Sequence, residues 1–310
     1  MLKQLMEVFE ILDRPDASGK KFKEYLDNIG NNNCIVNQVK TEKGSTDFVK
    51  TKIIGKNGKT KGGDYPTLGI IGRLGGLGAR PNAVGFVSDG DGALAALAVT
   101  AKLLKSNILG DVLMGDVIIS THICPDAPVI KHEPVDFMDS PVDMAKMNEM
   151  EIDEEMDAIL SVDATKGNKV INHNGFAISN TVKEGYILKA SDNLLDIMIR
   201  VTGKMPKVFP LCQQDITPYK NNLYHLNSIL QPATATEAPV VGVAVTAKMP
   251  VAGCATGVTN LINVESAGRF MIETVKDFTN KKCSFYEQTE FEKLLDLYGD
   301  MKKFQTSGKQ

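Results

Sequence analysis

Apolar positions recur at helical spacing near both ends of the chain and as short alternating or solid runs between them. Leu2, Met6, Phe9 and Leu12 share one face, which predicts a helix over residues 2–12. A second helix is expected from Ser18 to Gly30, a serine start and a glycine stop. Two strand-like runs follow at Cys34–Thr41 and Asp47–Ile54, then the turn segment GKNGKTKGG and a short buried strand over Pro66–Gly72. From Asp89 the period lengthens. Leu94, Leu97, Ala98, Ala101 and Leu104 share a face, predicting a helix that runs to Lys105. Val117–Ser120 reads as a buried strand, Pro125–Ser140 as a loop, Met144–Met156 as an acidic helix and Ala158–Val162 as another buried strand. Phe176–Asn180 and Tyr186–Lys189 are expected to form a hairpin. A helix over Asn193–Val201, strands at Val208–Leu211 and Val240–Val245, and helices over Leu261–Phe278 and Tyr286–Tyr298 complete the pattern. Strands alternating with long helices predict an α/β fold of three layers, with a mostly parallel or mixed central sheet and helices on both faces. No shift in composition marks a boundary, so a single domain over residues 1–310 is expected.

Composition narrows the function classes. The 310 residues are 43% hydrophobic and 24% charged, an ordinary globular balance, and the net charge of −3 offers no pull toward nucleic acid or an anionic membrane. Trp is absent and aromatics total 6%, too few for the stacking platforms that single-stranded nucleic acid needs. Five cysteines, odd in number and never in a CxxC pair, argue against a disulfide framework or a zinc knuckle. Polar residues interrupt the first apolar stretch and no window approaches a membrane span, so the cytosol is the expected compartment.

In an open α/β sheet, ligands collect beyond the carboxyl ends of the strands. The glycine-rich segment after Gly72 lacks the helix start that a dinucleotide loop requires, and the DGDG at residues 89–92 has Ala93 where a calcium loop needs an oxygen ligand. Asp89 is a candidate metal ligand at a strand-to-helix turn; the alternative is a helix cap by Asp89 or Asp91. The segment STHICPDAPVIKHEPVD sets His122, Cys124, Asp126, His132 and Glu133 together after a buried strand, with His122, Cys124 and Asp126 alternating toward one side. Asp163 closes a buried strand, and Gln214 and Asp215 follow another at the same edge.

Taken in order, IIGRLGG, SDGDGALAALAVTAKLL, DVIISTHICPDAP, AILSVDATKG and VAVTAKMPVAGCATG resemble the dinuclear zinc exopeptidases of the aminopeptidase and carboxypeptidase type, over roughly residues 34–280. The chain also resembles a bacterial family of about this length that carries an unknown-function label. The exopeptidase resemblance implies that fold, a homo-oligomer, and zinc or another divalent metal held by Asp89 as bridging ligand and Asp163 as terminal one. The departures are specific. Arg73 stands where the family has its first histidine and Gly75 where it has an aspartate; no Glu-Glu pair falls near Cys124–Asp126; Cys254 is the one ligand type where the last histidine would fall.

Two functions follow. In the first, a metal-dependent hydrolase of peptide, amide or acyl-amino-acid bonds uses Asp89, His122 and Asp163 for metal, with Asp126 or Glu133 as base. In the second, a catalytically inactive peptidase-like protein binds a small anionic or amino-acid-derived ligand through Arg73, Gln214, Asp215 and Cys254. There the Arg73 guanidinium, paired with Asp89 or Asp163, replaces the metal's charge. Both exclude nucleic acid and membrane as partners.

Overall fold

The computed structural model describes residues 1–73, 75–77, 85–131, 137–165, 167–219, 221–249 and 257–306. Among these, helices α1 (Leu2–Leu12) and α2 (Gly19–Ile29) lead into the antiparallel pair β1 (Asn33–Thr41) and β2 (Gly44–Ile53). The Ser18 hydroxyl caps α2 by accepting from the Lys21 amide, as the serine start predicts. Then follow β3 (Leu68–Gly72), α3 (Asp91–Ile108), β4 (Val117–Ile123), the two-residue strands β5 (Val129–Ile130) and β6 (Phe137–Met138), α4 (Met144–Glu151) and β7 (Ala158–Thr165). The rest is β8 (Gly175–Ser179), β9 (Val182–Lys183), β10 (Tyr186–Ile187), α5 (Asp192–Thr202), β11 (Val208–Phe209), β12 (Val240–Thr246), α6 (Leu261–Thr279) and α7 (Gln288–Tyr298).

The sheet runs β1-β2-β4-β3-β7-β12-β8-β11, with β9 on β12 and β10 on β9. Its middle strands β4, β3, β7 and β12 are parallel, and β2 and β8 flank them antiparallel. All four middle strands are buried along their whole length, which is why they read as solid apolar runs. Edge strand β1 is mostly exposed and keeps its polar alternation. One face carries α1, α3, α5 and α6 over a core that includes Leu5, Leu97, Ile70, Leu160, Val243 and Phe270. The other face packs Ile71, Ile118, Ile159 and Ala244 under the irregular segment with Ile229 and Leu230, beside α4. The layered, mixed-sheet α/β architecture expected from the pattern is the one present.

Two local expectations are corrected. Residues 176–180 do not pair with 186–189; β8 instead lies between β12 and β11, and the hairpin is the short β9–β10 pair. Phe176, Ala177 and Ile178 bury more apolar surface by insertion beside β12 than by pairing at a two-stranded edge. Helix α4 ends at Glu151 rather than Met156, because Ile152 is extended and the Asp153 carboxylate accepts from the Glu155 amide in a turn of its own.

Candidate functional site

Parallel register places the chemistry. Ile71 on β3 lies level with Ser120 on β4 and Ser161 on β7, so the next residues of the same face, Arg73, His122 and Asp163, are neighbours at the carboxyl edge. The Arg73 amide donates to the Val162 carbonyl, which carries β3's pairing one residue past the strand. All three side chains are buried. The sheet face leading to them is polar: the Ser120 hydroxyl donates to the Glu151 carbonyl and the Ser161 hydroxyl to the Ile229 carbonyl, each at 2.6 Å.

Helix α4 supplies the partner of the arginine. Met144, Asn148 and Glu151, at helical positions i, i+4 and i+7, line one stripe, and each meets the Arg73 guanidinium. Arg73 Nε lies 2.9 Å from Glu151 Oε2, Nη2 donates to Asn148 Oδ1, and Nη1 rests on the Met144 thioether. Both charged side chains are 1% exposed. Burial pushes the Arg73 pKa down, and the Glu151 and Asp163 charges oppose that shift. Asn148 Nδ2 in turn donates to the Gln231 carbonyl and the Thr234 hydroxyl, fastening α4 to the segment that covers this face.

Glu151 also holds His122. Its Oε1 is 2.6 Å from Nδ1, while Nε2 accepts from the Gly75 amide at 3.0 Å. An amide can only donate, so Nε2 carries no proton and the imidazole is the Nδ1–H tautomer, donating to Glu151. Gly75 is required by this approach: a Cβ there would lie 1.7 Å from the His122 carbonyl oxygen. Beyond His122 a small cavity is lined by Asp89, Cys124, Gly76 and Met138. Burial pushes the Cys124 thiol up to about 11, so it is a neutral thiol at ordinary pH. Tyr219 stands near Asp163, and burial followed by that carboxylate's charge raises its phenol pKa.

Asp89 and Asp91 are buried at the start of α3, where Gly90 occupies the cap position, so the cap expected of an aspartate falls to a residue without a side chain. Asp163 Oδ1 accepts from the Ala164 amide at 2.7 Å. The ion partner of Arg73 is Glu151, not Asp89 or Asp163 as the resemblance implied, because α4 delivers a carboxylate directly to the guanidinium. Asp126 is exposed past Cys124, outside the cavity lined by His122 and Cys124. Asp215 is wholly buried and spends both oxygens within its own loop, accepting from the Cys212, Leu226 and Asn227 amides. Gln214 is exposed beside it. Glu133, His132 and Cys254 lie outside the described residues. Glu151 and Asn148 were missed by sequence reasoning. The available signal was their helical register with Met144 on a helix that reads as acidic and solvent-facing.

This donor set is largely spent within the protein. Both nitrogens of His122 and both oxygens of Glu151 are already engaged, and Arg73 brings a positive charge into the space between strands. Among the described residues, no group of three His, Cys, Asp or Glu side chains is disposed to hold a metal ion. The described residues therefore do not fit a dinuclear centre. No helix among them is long and apolar enough to cross a membrane.

The chain belongs to the family described as "Protein of unknown function (DUF1177)", which it matches over residues 37–308. Comparison with curated protein sequences returns no match. Among solved structures the chain is similar to the bottromycin maturation enzyme BotP in complex with Mn, with 14% identity, coverage of 89% of this chain and 70% of that one, and a TM-score of 0.52. It is also similar to a cytosol aminopeptidase from Coxiella burnetii, with 10% identity, coverage of 89% and 68%, and a TM-score of 0.50. At these identities the likeness shows the fold alone, a peptidase-like α/β fold.

Proposed function

We propose that this member of the family is a peptidase-fold protein that binds a small, amino-acid-derived molecule at the carboxyl edge of β3, β4 and β7. The observation that carries the reading is the buried contact of Arg73 with Glu151, which also orients His122. A guanidinium there supplies, without a metal, the positive charge that neutralises carboxylates at this edge. Asp89 lines the adjoining cavity, where a carboxylate suits the ammonium of an amino-acid derivative, and His122 is held beside it by Glu151 and Gly75. Arg73 acts through Glu151 and is a positioning residue. Asp163, at the level of Arg73 on β7, and Tyr219 near it extend the same edge.

A second reading, metal-dependent hydrolysis of peptide, amide or acyl-amino-acid bonds, is favoured by the fold likeness to one enzyme bound to Mn and to an aminopeptidase. In it Asp89, His122 and Asp163 would hold a divalent metal, with Asp126 or Glu133 as base. It requires His122 to leave Gly75 or Glu151. Calorimetric titration with amino acids, dipeptides and N-acyl amino acids, with and without chelator, separates the two. The first reading expects saturable binding that survives chelator and is lost in Arg73→Met. Binding or amide hydrolysis that appears only with stoichiometric zinc or manganese would overturn it in favour of the second.

A further inference from the structure

A second cavity, of about 240 Å³, opens at the carboxyl end of β12, between the last turn of α5 and the first turn of α6. It lies on the sheet face opposite Arg73. Phe176 and Met198 form its apolar floor, and Lys204, Lys207 and Arg269 line it. Among the described residues no carboxylate lies within ion-pair distance of Lys204 or Lys207; Glu265 pairs with Arg269 at 2.9 Å. The Lys207 ammonium donates to the Asn174 carbonyl. Its pKa is lowered by burial and then by the charges of Lys204 and Lys248, so positive charge gathers at the mouth of the cavity.

Fold stability accounts for part of this arrangement, since the Lys207 bond to Asn174 ties the approach to β11 to the start of β8. Lys204 directly follows the C-terminus of α5, where a cation complements the helix dipole. Lys207 has no such role, since it precedes β11 beyond a proline. The α6 N-terminus adds little, because the Asn260 side chain already accepts from the Ile262 and Asn263 amides. Like charges around one cavity repel one another, and an anion bound between Lys204 and Lys207 offsets that cost.

We propose that this cavity is a binding site for the anionic oxygen group, carboxylate or phosphate, of a small molecule. Its volume lies below the roughly 300–1,000 Å³ of drug-sized pockets, which suits a phosphate or a short acid and not a whole nucleotide. The site is independent of the Arg73 cluster and stands whether or not an amino-acid derivative binds there.

Isothermal titration at matched ionic strength with inorganic phosphate and with succinate tests it. One saturable site is expected for at least one probe, and the tighter probe identifies the anionic group. Lys207→Gln, which keeps the stem over the floor, is expected to weaken that affinity about tenfold. Lys204→Ala, at an exposed position where the fold tolerates the change, is expected to weaken it as well. Absence of saturable binding by either probe beyond the chloride control overturns the proposal. So does unchanged affinity in the folded double variant.

Discussion

Glu151 is the residue on which the buried polar cluster turns. It neutralises Arg73 and accepts a hydrogen bond from His122 Nδ1, and all three are nearly inaccessible. Breaking a buried ion pair from one side leaves a charge without compensation, which costs about 3–5 kcal/mol. Glu151→Ala is therefore expected to lower unfolding stability by roughly that amount. Glu151→Gln, which keeps the shape and an acceptor for Nδ1–H, should fall between wild type and alanine. Urea denaturation followed by circular dichroism measures both, and equal stability of all three proteins would show that the pair is structurally idle. The carboxylate is easy to overlook in the sequence. MAKMNEMEIDEEMD reads as a solvated acidic helix, and only the packing of α4 separates Glu151 from the exposed Glu149 two residues earlier.

At the scale of elements, the site depends on how closely α3 and α4 approach the carboxyl edge. The first turn of α3 rests directly on the strand ends: a Cβ at Gly92 would lie 2.2 Å from the Arg73 carbonyl and 2.5 Å from that of Val162. Alanine favours helix by about 1 kcal/mol over glycine, so propensity alone predicts that Gly92→Ala stabilises. The backbone clash predicts the reverse. We expect a lower thermal midpoint and a loss of the ligand-dependent shift, and a stabilised variant would show that α3 has room to retreat. Helix α4 is set by the Asp143 carboxylate, which accepts from the Lys146 amide at 2.8 Å. Asp143→Ala should cost about 1 kcal/mol through loss of that cap. The helices and middle strands were legible because their periodicity is local. The partner of β8 was not, since strand order is chosen by burial across the whole sheet.

For the whole molecule, two buried thiols make stability fall on the alkaline side. Burial pushes Cys124 up to about 11 and Cys283 up to about 12, above the ordinary thiol range. The native state then holds protons that the unfolded chain releases. This contribution is complete below the ordinary thiol pKa and is lost as pH rises through the native values. Denaturation midpoints measured from pH 8 to pH 11 are expected to drop less steeply in a Cys124→Ala, Cys283→Ala double variant than in wild type. Parallel slopes would refute the assignment. The same burial makes Cys124, which lines the cavity beyond His122, a poor nucleophile.

Hydrophobic periodicity, turn residues and the order of the elements were enough to specify a layered α/β protein with a peptidase-like arrangement and an edge rich in polar residues. Those signals are local or depend on order alone. They also marked Arg73, His122, Asp89 and Asp163 as residues at the strand ends. Which of them touch was decided by tertiary packing. Parallel register brought Arg73, His122 and Asp163 level, and α4 inserted Glu151 and Asn148 from outside every segment that carried a motif. A buried charge takes the nearest compensating charge that the fold delivers, however distant that charge is along the chain. For Arg73 that charge is on Glu151.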